Sequence, residues 1–226
     1  MSNQVISKQR VADHGEVLTG KREVNAMLDL VKNETERIDS RFLEPACGTG
    51  NFLVAILERK LAVVESRYAS SQLEYERYAT SAVASLYGID ILEDNVEHCR
   101  QRLFGVFEWS YTKLFDGKAK NKCRETIRYI LNRNIVWGDA LTLMTEGYRP
   151  GPIIFSEWSF VSGSKLKRRD FTFGDLTPKE QAEELSLFEE PAERQVSDLG
   201  KDAFLPRPVA EFPLVHFLEA AHAFGQ

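Results

Sequence analysis

Apolar positions along the chain fall into helical and extended runs that alternate. In residues 23–32 (EVNAMLDLVK) Val24, Met27, Leu28 and Val31 keep the spacing of one helix face. After a polar stretch, NETERIDS, residues 41–47 (RFLEPAC) read as a strand running into Gly48 and Gly50. Phe52, Leu53, Ile56 and Leu57 then resume the helical period. Residues 60–80 are polar and tyrosine-rich and predict a long amphipathic helix or a helical insertion. A short run, 85–91 (SLYGIDI), ends near an aspartate and is followed by Val96, Cys99, Leu103, Val106 and Phe107 at helical spacing, a second strand-helix unit. A helix up to Leu131 leads to a third strand, NIVW, with Gly138 and Asp139 behind it, and residues 151–161 (GPIIFSEWSFV) form a fourth apolar run. Thr177-Pro178-Lys179-Glu180 has the form of a capping box, and Leu214 to Phe224 reads as a last helical stretch behind three prolines.

Strands alternating with helices predict an α/β fold: a mostly parallel sheet of at least four strands, with right-handed crossovers and helices on both faces. Ligands of such sheets sit at the carboxyl ends of the strands, where the order of strands reverses. The glycine turn and the acids Asp90 and Asp139 all fall at such ends. The expected division is a domain over 1–174, opening with a helical segment over 1–40, and an acidic extension over 175–226.

Composition narrows the picture. With 43% hydrophobic and 28% charged residues the 226-residue chain has the make-up of a folded domain. Its net charge is −5, which argues against a protein that holds nucleic acid by bulk charge alone. The acidity is local, since residues 175–200 carry eight acids against Lys179 and Arg194. The body is nearly neutral, so any nucleic-acid contact has to be a patch. No run approaches the length of a membrane helix and no signal-peptide core is visible, so a cytoplasmic location is expected. Cys47, Cys99 and Cys123 lack disulfide-framework or metal spacing, and no metal site is expected from them or from the four histidines.

The informative string is Phe42-Leu43-Glu44-Pro45-Ala46-Cys47-Gly48-Thr49-Gly50-Asn51-Phe52-Leu53. It resembles, over its whole length, the S-adenosylmethionine motif F-L-[DE]-P-[AS]-C-G-[ST]-G-x-F of amino-methylating DNA methyltransferases. The resemblance continues in order. His14-Gly15-Glu16-Val17-Leu18-Thr19 is similar to the upstream H-G-E-V-[FY]-T-P element, with Gly20 where proline is usual. Gly88-Ile89-Asp90-Ile91 is similar to the element whose acid holds the ribose hydroxyls. Gly138-Asp139-Ala140-Leu141 is similar to the element that meets the adenine. Taken singly, Asp90 and Asp139 also fit helix-capping acids. The resemblance implies a Rossmann-like class I methyltransferase sandwich of three layers, incomplete in its C-terminal half. It implies S-adenosylmethionine held by Thr19, Glu44, Ala46, Gly48, Gly50, Phe52, Asp90, Ile91, Asp139 and Leu141. The implied activity is DNA methylation at the adenine amino group, as in restriction-modification or mobile-element systems.

The family's fourth element, [DNS]-P-P-[YFW], is replaced by Phe155-Ser156-Glu157-Trp158-Ser159-Phe160. The expected catalytic set is Ser156 for the polar position, Glu157 as acceptor for the target amino group, and Trp158 or Phe160 as the aromatic that stacks on a flipped base. Both prolines are missing. A rival reading is therefore a catalytically degenerate cofactor-binding or DNA-associated subunit that works with a partner chain supplying target recognition. A third reading keeps the cofactor and changes the acceptor to RNA, protein or a small molecule. Lys165, Lys167, Arg168 and Arg169 form the basic cluster, read either as a DNA phosphate contact or as a solvated run. Glu184-Leu185-Ser186-Leu187-Phe188 resembles the Q-L-[SD]-L-F peptide that docks on the bacterial sliding clamp, and reads otherwise as one face of a short helix.

Overall fold

A computed structural model describes residues 19–176 and 206–225, together with the backbone of 195–196 and 202–203. The upstream residues 14–18, the capping box at 177–180 and the clamp-like segment 184–188 lie outside the described residues. Helices α1 (Lys21–Asp29) and α2 (Lys32–Thr35) lead into strand β1 (Phe42–Glu44). Helices α3 (Asn51–Tyr68) and α4 (Gln72–Ala84) connect to β2 (Leu86–Asp90), and α5 (Glu93–Phe115) and α6 (Asn121–Asn134) connect to β3 (Ile135–Asp139).

β1, β2 and β3 pair in parallel, Leu43 opposite Tyr87 and Ile89 opposite Val136. β4 (Met144–Thr145) adds an antiparallel edge, so the sheet runs β1-β2-β3-β4. The long segment expected over 60–80 is two helices. Ser71 interrupts it as an N-cap whose hydroxyl accepts from the Glu74 N–H at 3.4 Å.

The fourth apolar run does not enter this sheet, and the parallel part has three strands rather than four. β5 (Ile154–Ser162) folds straight back on β6 (Lys165–Thr172) through Gly163, at φ +52, with Phe155 opposite Phe171 and Trp158 opposite Arg168. Strand order explains where the hairpin goes. From β1 to β2 to β3 the chain steps in one direction, and right-handed crossovers in one direction put every helix on the same face. A helical layer on the other face needs strands beyond β1, which the described residues lack. The hairpin takes that place. Tyr87 and Ile89 from β2 pack with Ile153, Phe155 and Phe173, and the Tyr87 and Phe155 rings meet edge to face at 5.3 Å. The Tyr87 hydroxyl donates to the Ser156 carbonyl at 3.1 Å. Among the described residues the outer edge of β1 has no partner strand, and Leu43 there is exposed.

The C-terminal stretch is only partly helical. β10 (Val215–His216) pairs with β6, as does β9 (Ala210–Glu211), and a short 3-10 turn precedes α7 (Ala220–Phe224). Phe217 and Phe224 are buried there, the latter near the Trp158 ring. β7 (Gln195–Val196) and β8 (Asp202–Ala203) pair with each other. Short extended pieces can be held because β6 offers them its free edge.

The apolar stripe of α3 contains one cation. Leu53, Ile56, Leu57, Leu61 and Val64 are buried at helical spacing, and Lys60 is buried among them. Its ammonium donates to the carbonyls of Ile38 (3.1 Å) and Ser40 and to the Ser85 hydroxyl, and lies 5.1 Å from the Phe42 ring. It thereby ties the segment before β1 to the start of β2. Burial pushes Lys60 from its ordinary 10.5 down to about 7. The unfolded state therefore binds one more proton between those values, and stability falls as pH drops through the window. Against Lys60→Met, the wild type is expected to gain relative stability as pH rises from about 7 to about 10. Urea denaturation of both proteins across that range measures it, and a constant difference would refute it.

Candidate cofactor-binding site

The carboxyl ends of β1, β2 and β3 open onto one cleft of about 570 Å³. Thr19, Glu44, Ala46, Gly48, Phe52, Asp90, Ile91, Asp139 and Leu141 all border it. Gly50 stands behind the cleft as the N-cap of α3, buried and left-handed at φ +84. The volume lies within the roughly 300–1,000 Å³ of small-ligand pockets. Nine of the ten residues that the motif resemblance assigns to the cofactor, separated by up to 122 positions, thus border one cleft.

The three strand-end acids differ in state. Asp90 is buried and committed: Oδ2 accepts from the Gly48 N–H at 2.7 Å, and Oδ1 accepts from the Leu92 N–H (2.9 Å) and Asn95 Nδ2 (3.1 Å). It latches the glycine turn to the end of β2. Asp139 borders the cleft, and among the described residues its carboxylate accepts only from the Leu141 N–H at 2.8 Å. Glu44 accepts no hydrogen bond from the described residues, and burial alone pushes its carboxyl up to about 7. A half-buried carboxylate without a donor is disfavoured unless something cationic or hydrogen-donating meets it. Ile91 and Leu141 are exposed apolar side chains at the rim, Leu141 by 88%.

Several contributors are not among the residues that the motif resemblance assigns to the cofactor. Asn51 Nδ2 donates to the Thr19 carbonyl at 2.9 Å, while Arg102 donates to Asn51 Oδ1 at 2.8 Å and to the Thr49 carbonyl at 2.6 Å. This clasp from α5 holds the segment before α1 on the glycine turn. Asn95 and Leu92 complete the wall. Asn51 adjoins the glycines in the string, but its pairing with Arg102 spans 51 positions and no local pattern marks it. The Cys47 thiol is pushed up, first by its hydrogen bond with Cys99 and then by burial, so it packs rather than attacks.

The expected catalytic residues are elsewhere. The Ile153 N–H donates to the Leu143 carbonyl near the carboxyl end of the sheet, and Trp158 Nε1 donates to Asn134 Oδ1 at its amino end. The hairpin therefore crosses under the sheet and carries residues 156–158 away from the cleft. The Ser156 hydroxyl donates to Asp170 at 2.7 Å. Glu157 bridges Arg41 and Arg169. Trp158 is buried against Tyr129 and Phe224. None of the three borders the cleft. They lie there because the hairpin packs on the face of the sheet, Phe155 against Tyr87, instead of joining its row of strands beside β1.

The basic cluster is likewise divided. Strand alternation turns Arg168 inward, where it pairs with Asp170 at 2.6 Å and lies 4.0 Å from the Phe212 ring. Lys167 pairs with Glu211 and Arg169 with Glu157, leaving Lys165 exposed at the turn. Four consecutive-looking cations are not one patch. Among the described residues no group of His, Cys, Asp and Glu is placed to hold a metal ion, and no helix is long and apolar enough to cross a membrane. No family model, curated protein or solved structure matches the chain.

The state of Glu44 makes a pH prediction. A cationic ligand needs it ionised, so affinity in the cleft is expected to fall about tenfold per pH unit below about 7 and to level off above it. The stability effect has the opposite sign. The folded carboxyl keeps its proton to higher pH than the unfolded one, whose ordinary value is 4.5, so ionising it erodes stability between those values. Glu44→Gln is expected to unfold at higher temperature than the wild type at pH 8 while binding a cationic ligand weakly and without pH dependence. Thermal melts and titrations at pH 6, 7 and 8 test both halves.

Proposed function

We propose that the cleft binds S-adenosylmethionine and that the chain serves methylation of the adenine amino group in DNA. The observation that carries the reading is Glu44, a carboxylate without a donor beside a glycine turn, facing a cleft closed by Asp90 and Asp139. The residues fit the group. Glu44 is suited to the cationic methionine end, the second carboxyl oxygen of Asp139 can accept from an amino group, Asp90 has one acceptor position left beyond its three internal hydrogen bonds, and Ile91 and Leu141 offer apolar cover for a ring. When bound, the cofactor supplies an activated methyl group. The chain's own part is to orient it and keep its charged end paired. DNA as acceptor rests on the resemblance of the motifs in order.

A partner-dependent arrangement is favoured over a self-sufficient enzyme by the placement of Ser156, Glu157 and Trp158. The unpaired outer edge of β1, next to Glu44, is where strands carrying an acceptor-binding element would join such a sheet. Calorimetric titration with S-adenosylmethionine, with Glu44→Ala as control, tests the cofactor reading. Micromolar binding that the substitution removes supports it, and an absence of heat or stabilisation overturns it. Methyl incorporation into DNA by the isolated chain, lost in Glu157→Ala, would restore the hairpin as the catalytic element.

A further inference from the structure

At the opposite end of the sheet lies a larger cavity, about 810 Å³, that the proposed function does not use. Four arginines line it: Arg37 and Arg41 from the segment before β1, Arg67 from the last turn of α3, and Arg77 from α4. Tyr68 and Tyr78 stand beside them, stacked at 3.9 Å between ring centres and 8° from parallel. The acids on the wall are Glu36 and Asp39. Glu36 faces Lys32 at 3.5 Å and Asp39 faces Arg37 at 3.0 Å, both in exposed pairs, which are weakly held. Arg41 meets Glu157 and Arg77 meets Glu74. Arg67 has no acid partner among the described residues. The Arg77 Nε is shielded from solvent and has no hydrogen-bond partner among the described residues, while its guanidinium lies 5.6 Å from both the Tyr78 and Phe160 ring centres.

Guanidinium groups gathered around a cavity suit a phosphate, because each offers paired donors in a plane. Flat aromatic faces beside them suit a planar ring, and the volume is that of a small-molecule pocket. A bare anion would leave most of the space and the aromatic wall unused. We propose that this cavity is a second ligand site that takes a nucleotide, with the arginines on its phosphate and the tyrosine pair beside its base. The phosphate belongs either to a free nucleotide or to the end of a nucleic-acid strand. The site is independent of the cofactor cleft, since the two open at opposite ends of the strands.

Calorimetric titration of the full chain at low salt with deoxyadenosine monophosphate, deoxyadenosine and inorganic phosphate tests the assignment. The monophosphate is expected to bind. The double substitution Arg37→Ser and Arg67→Ser, both at exposed side chains, is expected to weaken it by about tenfold or more. Glu44→Gln, which alters the cofactor cleft, is expected to leave it unchanged. An unshifted thermal melt shows that the double variant is folded. The proposal is overturned if no heat appears at millimolar nucleotide, if Glu44→Gln or added S-adenosylmethionine removes the heat, or if deoxyadenosine or inorganic phosphate binds as tightly as the monophosphate. A 5′-phosphorylated oligodeoxyadenylate identifies the source. Tighter binding than the monophosphate, with the same dependence on the two arginines, marks a strand end, and weaker binding marks a free nucleotide.

Discussion

Gly50→Ala is expected to destabilise the protein by about 2–5 kcal/mol and to lower its melting temperature by several degrees or more. Two effects add. The backbone at Gly50 is left-handed, φ +84 and ψ 32, which costs a residue with a Cβ roughly 1–2 kcal/mol. The Cβ itself would stand 2.5 Å from the Cys99 Sγ, inside any allowed contact. Cys99 is fully buried in α5, so relief requires turning its side chain within the packed core or moving that helix or the glycine turn. Overpacking of this kind typically costs about 1–3 kcal/mol. Gly105 provides the control. It lies in the same helix as Cys99, exposed, with nothing within 4 Å of an added Cβ. Gly105→Ala is expected to be neutral or to stabilise by up to about 1 kcal/mol. Urea denaturation of the two variants measures the contrast, and equal stabilities would show that the turn relaxes freely.

Asp90→Asn is expected to cost about 2–4 kcal/mol and to abolish ligand binding in the cleft. The carboxylate receives donors on both oxygens: the Gly48 N–H on one, the Leu92 N–H and Asn95 amide on the other. An asparagine has one acceptor oxygen, so whichever way its amide turns, an NH₂ faces a donor. Leaving a buried donor without its partner costs about 1–3 kcal/mol, and here the loss also frees the glycine turn from β2. Asp139→Asn is the comparison. Asp139 accepts one backbone bond and is partly exposed, so the same change is expected to cost less than about 1 kcal/mol while still weakening binding. Denaturation and titration on the same samples separate the two effects. A stable Asp90→Asn protein with intact binding would mean that the latch is dispensable.

These expectations rest on a cleft that was largely legible in the sequence. The glycine turn and the strand-end acids are local features, each set by a few neighbouring residues, and together they marked one end of the sheet. The clasp by Arg102 was not legible, since its partners lie 51 and 53 positions away. The buried cation Lys60 was hidden for a related reason. Its neighbours in sequence place it on an apolar helix face, and only the carbonyls of Ile38 and Ser40 explain how it is tolerated there. The basic run at 165–169 read as a patch because sequence adjacency looks like proximity. In a strand, adjacent side chains point to opposite faces.

By itself, the sequence determined the first three strand-helix units, the glycine turn and the end of the sheet to which the turn and the strand-end acids belong, but not the break at Ser71 or the extended C-terminal pieces. Periodicity, capping and turn chemistry are short-range, and the βα units repeat them without contradiction. The tertiary structure decided the fate of the fourth apolar run. A short apolar run of this kind suits a fourth parallel strand and one arm of a hairpin equally well. Ser162-Gly163-Ser164 permits the fold-back, and the uncovered face of the sheet, with Tyr87 and Ile89 exposed to whatever packs there, rewards it. That choice carried Ser156, Glu157 and Trp158 to the far end of the sheet and left the outer edge of β1 unpaired among the described residues. It is a competition between two burials of the same residues, and only the assembled core resolves it.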